Sequence, residues 1–268
     1  MGLATSRFSI AAVLLTTVFT SQSFAISDQP TLGTVCGGVD RRVPSQFPWD
    51  GRMLMTPDGK GGCSAALIGR SCMVTVAHCY GLTKFVEFNV PLSNELGIVH
   101  PPLEHLYEVD ATTHRWGSNK AGDDWAVFRV RPNSITGLLP GEAQQGWYGL
   151  HATLDVAKGT ILRVTGYGVD DETDRDKAQQ SATGAFMRFE TTTIPRFYHQ
   201  VDTRSGNSGG GIVIESTRQL IGVHSGGECD TQGNIGTSLG LNAKFQAAVD
   251  ECLAADVPVG SASGVRLY

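Results

Sequence analysis

Short apolar runs separated by turn residues dominate the chain. They are four to seven residues long, rich in Val, Ile, Phe and Thr, and bounded by Gly, Asn, Asp or Pro; clear examples are residues 65–68, 73–77, 125–130, 161–167, 211–214 and 220–224. Runs of this length and composition predict β-strands.

One segment has a clean helical period. Leu241, Phe245, Val249, Cys252 and Leu253 recur at spacings of four, four, three and one, and the pattern ends near Pro258. Many short strands followed by a single helix, with no alternation of strands and helices, predict an all-β fold of barrels or a sandwich with a C-terminal α-helix.

The composition agrees with a folded, turn-rich protein. Of the 268 residues, 33 are Gly and 41 % are hydrophobic. The hydrophobic content is too high for a disordered chain, and Gly exceeds its usual share of about 7 %. The net charge of −5 and the absence of any Lys/Arg-rich run argue against a nucleic-acid partner.

Residues 1–25 have the features of a signal peptide. Arg7 is the only charged side chain, residues 8–19 form an apolar run, and Ser23 and Ala25 are small residues at the two positions that a signal peptidase reads. We therefore predict cleavage after Ala25 and a secreted protein, extracellular or periplasmic. Residues 26–34 are then a pro-segment or a tail. No later apolar run reaches the length of a membrane span, about 18 residues.

Three segments carry the residue types of nucleophilic catalysis. Residues 75–79 read Thr-Val-Ala-His-Cys and end with His78 and a cysteine, Asp124 precedes Trp-Ala-Val-Phe, and Ser208 lies in the string Gly-Asn-Ser-Gly-Gly-Gly. A serine hydroxyl is a poor nucleophile at neutral pH and needs an adjacent base, which His78 can supply. A carboxylate can hold the imidazole in the required tautomer, and Asp123 competes with Asp124 for this role.

In the order His, Asp, Ser, these segments resemble those of the chymotrypsin-like (trypsin-fold) serine endopeptidases, over residues 35–254. The resemblance selects Asp124 because it directly precedes Trp-Ala-Val. It also implies an oxyanion hole formed by the N–H groups of Gly206 and Ser208, which would stabilise the developing negative charge. The implied function is hydrolysis of peptide bonds through an acyl-enzyme intermediate.

The same resemblance implies a fold and a set of partners. The fold is two six-stranded antiparallel β-barrels, the first in residues 35–140 and the second, with the C-terminal helix, in residues 141–268. Protein or peptide substrates are the expected partners. We expect a monomer, with no cofactor and no metal.

Six cysteines in an exported chain predict disulfides. The resemblance implies a bridge between Cys63 and Cys79, which flank the His78 segment. The other four cysteines are Cys36, Cys72, Cys229 and Cys252. They allow three pairings, and the sequence does not choose among them.

Substrate preference has two interpretations. Asp202 lies six residues before Ser208, where trypsin has a pocket carboxylate that pairs with substrate Lys or Arg. Asp40-Arg41-Arg42-Val43 and Gly222-Val223-His224-Ser225-Gly226-Gly227 resemble instead the bacterial glutamyl endopeptidases of the same fold.

In that branch, a histidine matching His224 and a hydroxyl matching Thr203 bind the acidic side chain of the substrate. Residues 225–227, with Ser225 and Gly227 at the ends, would pair with the substrate backbone. The balance favours Glu slightly over Arg or Lys. Asn207 stands where trypsin-like zymogens use an aspartate to receive a new N-terminal amine, so activation by that route is not expected.

Two other functions fit parts of the sequence. An α/β-hydrolase needs the order Ser, acid, His, but the short stretch from Ser208 to His224 leaves little room for the intervening helix and strand. The sequence contains no His-Glu-x-x-His segment, the motif that would indicate zinc-dependent hydrolysis. The remaining alternative is a catalytically silent protease-fold protein that binds a partner, against which the intact triad and its glycine setting argue.

Overall fold

The computed structural model describes Met1 and residues 34–256, except residues 119, 121, 192, 193, 230 and 231. Apart from Met1 and Thr34, the predicted signal peptide (1–25) and the pro-segment or tail (26–34) lie outside the described residues. Within the described ranges, no helix is long and apolar enough to cross a lipid bilayer.

Strands make up most of the regular structure. In chain order the elements are β1 (Val43–Pro44), β2 (Asp50–Leu54), β3 (Cys63–Leu67), β4 (Cys72–Thr75), β5 (Phe85–Glu87), β6 (Leu106–Trp116), β7 (Ala126–Val130), α1 (Pro140–Ala143), β8 (Gly149–Leu150), β9 (Ile161–Gly166), β10 (Gln180–Glu190), β11 (Arg196–His199), β12 (Gly211–Ile214), β13 (Gln219–Glu228), β14 (Gly233–Ser238) and α2 (Ala243–Ala255).

The strands form two closed antiparallel barrels. The first has the order β2-β3-β4-β7-β6-β5. In the second, β10 pairs with β9 along its first half and with β11 along its second half, which closes the ring β9-β10-β11-β14-β13-β12. The predicted fold, two six-stranded antiparallel β-barrels with a C-terminal helix, is confirmed.

Burial explains which strands the sequence reveals. Strands β3, β4 and β12 are buried along their whole length and are mostly apolar, whereas β2 is equally buried but carries Asp50 and Arg52 and produces no apolar run. Each of the six predicted runs overlaps a strand. Strand β6 alternates between buried and exposed positions in its first half, and β14 is rich in Gly and polar residues, so neither produces an apolar run.

The first strand and the last helix of the described chain each pack on the opposite barrel. Strand β1 pairs with β10 of the second barrel, while α2 packs against β4, β6 and β7 of the first. The strands of the first barrel, β2–β7, precede residue 140, and those of the second, β9–β14, follow it. Strand β1 and helix α2 therefore each pack on the barrel formed by the other half of the chain.

Three disulfides connect the six cysteines. One of them joins Cys63 and Cys79, the pair that the resemblance implied. The pairs that the sequence left open are Cys36–Cys229 and Cys72–Cys252. The first of these joins the segment before β1 to the second barrel, and the other joins α2 to the first barrel.

Helix α2 follows the predicted period. It begins after Asn242, whose side-chain oxygen accepts the N–H of Phe245 at 3.0 Å, as an N-cap residue does. Phe245, Val249 and Cys252 are buried, and the Phe245 ring stacks on Trp125 with the centroids 5.3 Å apart. The helix thereby packs directly beside the segment that carries Asp124.

Candidate active site

His78 leaves the wall of the first barrel just after β4, in a 3-10 turn over Ala77–Leu82. The disulfide of the next residue, Cys79, ties this turn to Cys63 in β3. The side chain of His78 is 38 % exposed, so a substrate can reach the ring.

Asp124 lies against His78. Its Oδ2 is 2.6 Å from His78 Nδ1, and its Oδ1 accepts the backbone N–H of His78 at 3.0 Å. A carboxylate only accepts hydrogen bonds, so Nδ1 of a neutral His78 carries the proton and Nε2 is left as the basic nitrogen. The Asp124 side chain is 5 % exposed, which protects this contact from solvent.

Asp123, the competing aspartate, faces the other way. It accepts hydrogen bonds from Trp125 Nε1 at 2.9 Å, Asn242 Nδ2 at 3.0 Å and the Ser118 N–H at 3.0 Å. Burial would raise the pKa of Asp123, but hydrogen bonds from Asn242, Trp125 and Ser118 hold it below its ordinary value. Asp123 therefore joins the Asp124 segment to the start of α2.

Ser208 ends the segment that we call the nucleophile loop, residues 202–208, which precedes β12. This loop of the second barrel docks on the first barrel: Ser64 donates its N–H to the Ser208 carbonyl and its hydroxyl to the Gly206 carbonyl, both at 2.8 Å. Gly209 has a φ of +82°, and a Cβ there would lie 2.0 Å from Thr75 Oγ1. Only glycine permits this approach to the strand that leads to His78.

The expected oxyanion donors lie in the same loop. Gly206 has a φ of +99°, and a Cβ there would lie 2.5 Å from the Tyr167 carbonyl oxygen, so the loop requires glycine at this position. Among the described residues, the N–H groups of Gly206 and Ser208 have no hydrogen-bond acceptor. Both donors are therefore available to a substrate oxyanion.

Asp202 is not a free pocket carboxylate. Its Oδ2 accepts the Arg41 N–H and Arg41 Nε, both at 2.9 Å, and its Oδ1 accepts the Cys36 N–H at 2.8 Å and Arg41 Nη2 at 3.2 Å. The side chain is completely buried. The ion pair with Asp202 raises the pKa of Arg41, which remains a cation throughout.

Thr203 is buried beside the N-terminal segment. It exchanges two hydrogen bonds with Thr34: its N–H donates to the Thr34 carbonyl at 3.1 Å, and the Thr34 hydroxyl donates to its carbonyl at 2.6 Å. Thr203 Oγ1 accepts a hydrogen bond from Asn234 Nδ2 at 3.3 Å. Its own hydroxyl proton is therefore left to donate elsewhere.

His224 is buried on β13 and contacts a second histidine, His199 of β11. The distance from His224 Nδ1 to His199 Nε2 is 3.4 Å, and His199 Nδ1 accepts the Val201 N–H at 3.2 Å. Burial, and then the nearby charge of His78, lower the pKa of His224 to about 3. Burial also lowers the pKa of His199 well below its ordinary value, so both rings are neutral.

Beyond His224, strand β13 has an open edge. Its pairing with β12 ends at Val223, so residues 225–227 have a sheet partner on the β14 side alone within the described part of the chain. Ser225 donates its hydroxyl to the Ile235 carbonyl at 3.2 Å, while Gly227 has a φ of +149°. An unpaired edge of this kind can accept an extended peptide as an added strand.

One cluster has the composition of a metal site. The sulfurs of Cys63 and Cys79 and a ring nitrogen of His78 lie within 4.8 Å of one another. Both sulfurs are committed to the disulfide and cannot act as thiolate ligands.

Sequence reasoning missed His199, Asn234 and the pairing of Arg41 with Asp202. His199 ends a strand whose composition indicates nothing beyond β-structure, and Asn234 follows a turn. Arg41 belonged to a segment that the sequence marked as similar to one branch of the family, but nothing in the sequence indicated that it contacts Asp202.

Comparison with known proteins agrees with this geometry. The trypsin family model matches residues 36–250. No curated protein matches the chain. Among solved structures, the chain is similar to a Glu endopeptidase in complex with MPD, with a TM-score of 0.61 and 19 % identity over 82 % of this chain and 99 % of that one. The family match spans most of the chain, so the protein belongs to the trypsin family of serine endopeptidases.

Proposed function

We propose that this serine endopeptidase is secreted and cleaves protein substrates after Glu, using Ser208 as nucleophile, His78 as general base and Asp124 as the group that orients His78. The observation that carries the catalytic part is the 2.6 Å contact between Asp124 Oδ2 and His78 Nδ1, which leaves Nε2 unprotonated. We further propose that it acts as a monomer and does not bind nucleic acid.

The proposed reaction uses each group in turn. His78 Nε2 takes the proton of the Ser208 hydroxyl as Oγ attacks the scissile carbonyl. The N–H groups of Gly206 and Ser208 stabilise the resulting oxyanion. His78 then donates the proton to the leaving amine, and water hydrolyses the acyl-enzyme by the reverse sequence of proton transfers.

The neutralised carboxylate of Asp202 supports Glu over Lys or Arg. A substrate cation would have to compete with Arg41 and two backbone N–H groups for oxygens that already accept four hydrogen bonds. Burying a second cation next to Arg41 would also be electrostatically unfavourable.

The histidine pair supplies a donor for a substrate carboxylate. His199 Nδ1 accepts the Val201 N–H, so the proton of neutral His199 is on Nε2. His199 Nε2 therefore donates this proton in a hydrogen bond to His224 Nδ1. Neutral His224 then carries its own proton on Nε2. Together with the Thr203 hydroxyl, it gives two neutral donors suited to a carboxylate, as the Glu endopeptidase neighbour would lead us to expect.

A peptide library tests this preference, with His224→Ala and the control His151→Ala at a half-buried histidine that pairs with Asp155. A hydrogen bond to a charged group contributes about 1.5–3 kcal/mol, so His224→Ala should lower kcat/KM for Glu by about 10- to 150-fold. Cleavage after other residues should change far less, and His151→Ala should behave as wild type. Wild-type cleavage confined to Arg or Lys would refute the preference.

Secretion is supported by the signal-peptide pattern and by three disulfides, which persist in oxidising compartments. Expression in the source cell type followed by N-terminal sequencing of the exported protein tests it. The mature chain should begin after Ala25 or later. Retention of an intact N-terminus inside the cell would contradict the proposal.

A further inference from the structure

Three consecutive residues, Asp40, Arg41 and Arg42, contact three different residues of the nucleophile loop. Arg41 pairs with Asp202 at 2.9 Å, Asp40 Oδ2 lies 3.0 Å from Arg204 Nε, and Arg42 Nη1 donates to Asn207 Oδ1 at 3.4 Å. The sequence separation of these partners exceeds 160 residues in the two hydrogen-bonded pairs. The N-terminal segment is therefore a structural support of the loop that carries Ser208.

Arg42 is the buried member of this group. Its side chain is 1 % exposed and is paired with Asp40 at 2.8 Å and Asp170 at 3.1 Å. It packs with Asn207 on Gly168, where a Cβ would lie 2.5 Å from Arg42 Nη1 and 2.4 Å from Asn207 Oδ1. A buried guanidinium with these partners has one well-defined position, and it fixes the side chain of Asn207.

Arg42 supports the loop on two sides. Asn207 Oδ1, which it contacts, also accepts the Arg204 N–H at 2.9 Å. On the other side, Arg42 Nη2 donates to the Val169 carbonyl at 3.0 Å, and the Val169 N–H donates to the Ser205 carbonyl at 2.8 Å. The Ser205–Gly206 peptide unit and the side chain of Asn207 are thereby fixed.

The positions of the Ser205–Gly206 unit and of Asn207 determine where the oxyanion donors point. The Gly206 N–H belongs to the peptide unit that includes the Ser205 carbonyl, and the Ser208 N–H belongs to the one that includes the Asn207 carbonyl. Donors for an oxyanion must be oriented before the reaction, because reorientation during catalysis costs free energy. A buried charge beside Asn207 provides this orientation from within the chain.

We propose that the Asp40-Arg41-Arg42 segment, with Arg42 as its central positioning residue, holds the nucleophile loop in its catalytic conformation without a free α-amino group. This rests on the proposed roles of Ser208, Gly206 and His78. Arg42 acts through Asn207 and Val169 and does not touch substrate. Its loss should therefore reduce kcat and leave KM nearly unchanged.

The test compares Arg42→Met and Arg42→Lys with Arg115→Met, a control at an exposed arginine that pairs with Glu251. Arg42→Met should lower kcat at least about tenfold, towards the 10²–10³-fold cost of losing an oxyanion donor, with KM within threefold of wild type. Inhibition by a substrate-like peptide aldehyde, which uses the oxyanion hole, should weaken by a similar factor. Arg42→Lys should recover part of the activity, and Arg115→Met should lose none.

A double-mutant cycle with Asn207→Ala keeps the test decisive if Arg42→Met folds poorly. Arg42→Lys and Asn207→Ala should then show non-additive losses of kcat, because each disrupts the same contact. Wild-type kcat in a folded Arg42→Met variant, or strictly additive losses in the cycle, would overturn the proposal. Failure of the proposed catalytic roles would appear differently, as an inactive wild type or an active Ser208→Ala.

Discussion

Replacing Asp124 with asparagine should abolish most activity while leaving the fold intact. Asp124 Oδ1 accepts the His78 N–H at 3.0 Å, so the amide oxygen of an asparagine would stay at that position. Its NH2 group would then face His78 Nδ1, where Oδ2 now lies at 2.6 Å. A donor in this position drives the ring proton to Nε2, which leaves His78 unable to accept the proton of Ser208.

The expected size follows from this change of tautomer. The equivalent exchange in a serine protease triad lowers kcat by about 10⁴-fold. At 1.36 kcal/mol per factor of ten, this is a loss of about 5.4 kcal/mol of transition-state stabilisation. Steady-state kinetics on a chromogenic peptide measure kcat and KM, and thermal unfolding reports the stability of each variant.

The adjacent aspartate gives a matched control. In Asp123→Asn the amide oxygen can still accept from Trp125 and Asn242, and the Ser118 N–H loses its acceptor. We expect a stability loss of about 1–3 kcal/mol with kcat within a few-fold of wild type. The reasoning is refuted if Asp124→Asn keeps kcat within tenfold of wild type, or if Asp123→Asn loses as much activity.

Two further predictions concern stability. Cys63 and Cys79 are 16 residues apart. Replacing both with Ala should lower the free energy of unfolding by about 3 kcal/mol, the chain-entropy value for a loop of about this length. Calorimetry measures it, and an unchanged melting temperature would contradict it. Asn242→Ala should cost at least about 1 kcal/mol because α2 loses its N-cap and Asp123 loses a hydrogen-bond donor, with kcat little changed. Equal denaturation midpoints for Asn242→Ala and wild type would show that the contacts of this side chain contribute nothing to stability.

The sequence predicted the elements whose signal is local. Buried strands such as β3 and β12 appear as apolar runs, and α2 appears through its period and its cap position. The segments of the proposed triad residues His78, Asp124 and Ser208 stood out because their residue types and order resemble those of the family.

What the sequence could not reveal depends on long-range pairing. Cys36–Cys229 joins residues 193 positions apart, and the Arg41–Asp202 pair spans 161, so neither has a local signature. As a result, the sequence made Asp202 a candidate for binding substrate Lys or Arg, whereas Arg41 already neutralises its carboxylate. The packing of β1 and α2 on the opposite barrels has no local signature either.

The most direct test of the central claim is covalent labelling with a fluorophosphonate probe, followed by mass spectrometry of the modified peptide. The folded, processed protein should carry one adduct, on Ser208, and His78→Ala should label far more slowly because the base is missing. Ser208→Ala should carry none. A folded and processed wild type that fails to label, as a silent binding protein would, or a Ser208→Ala variant that labels equally, would contradict the account.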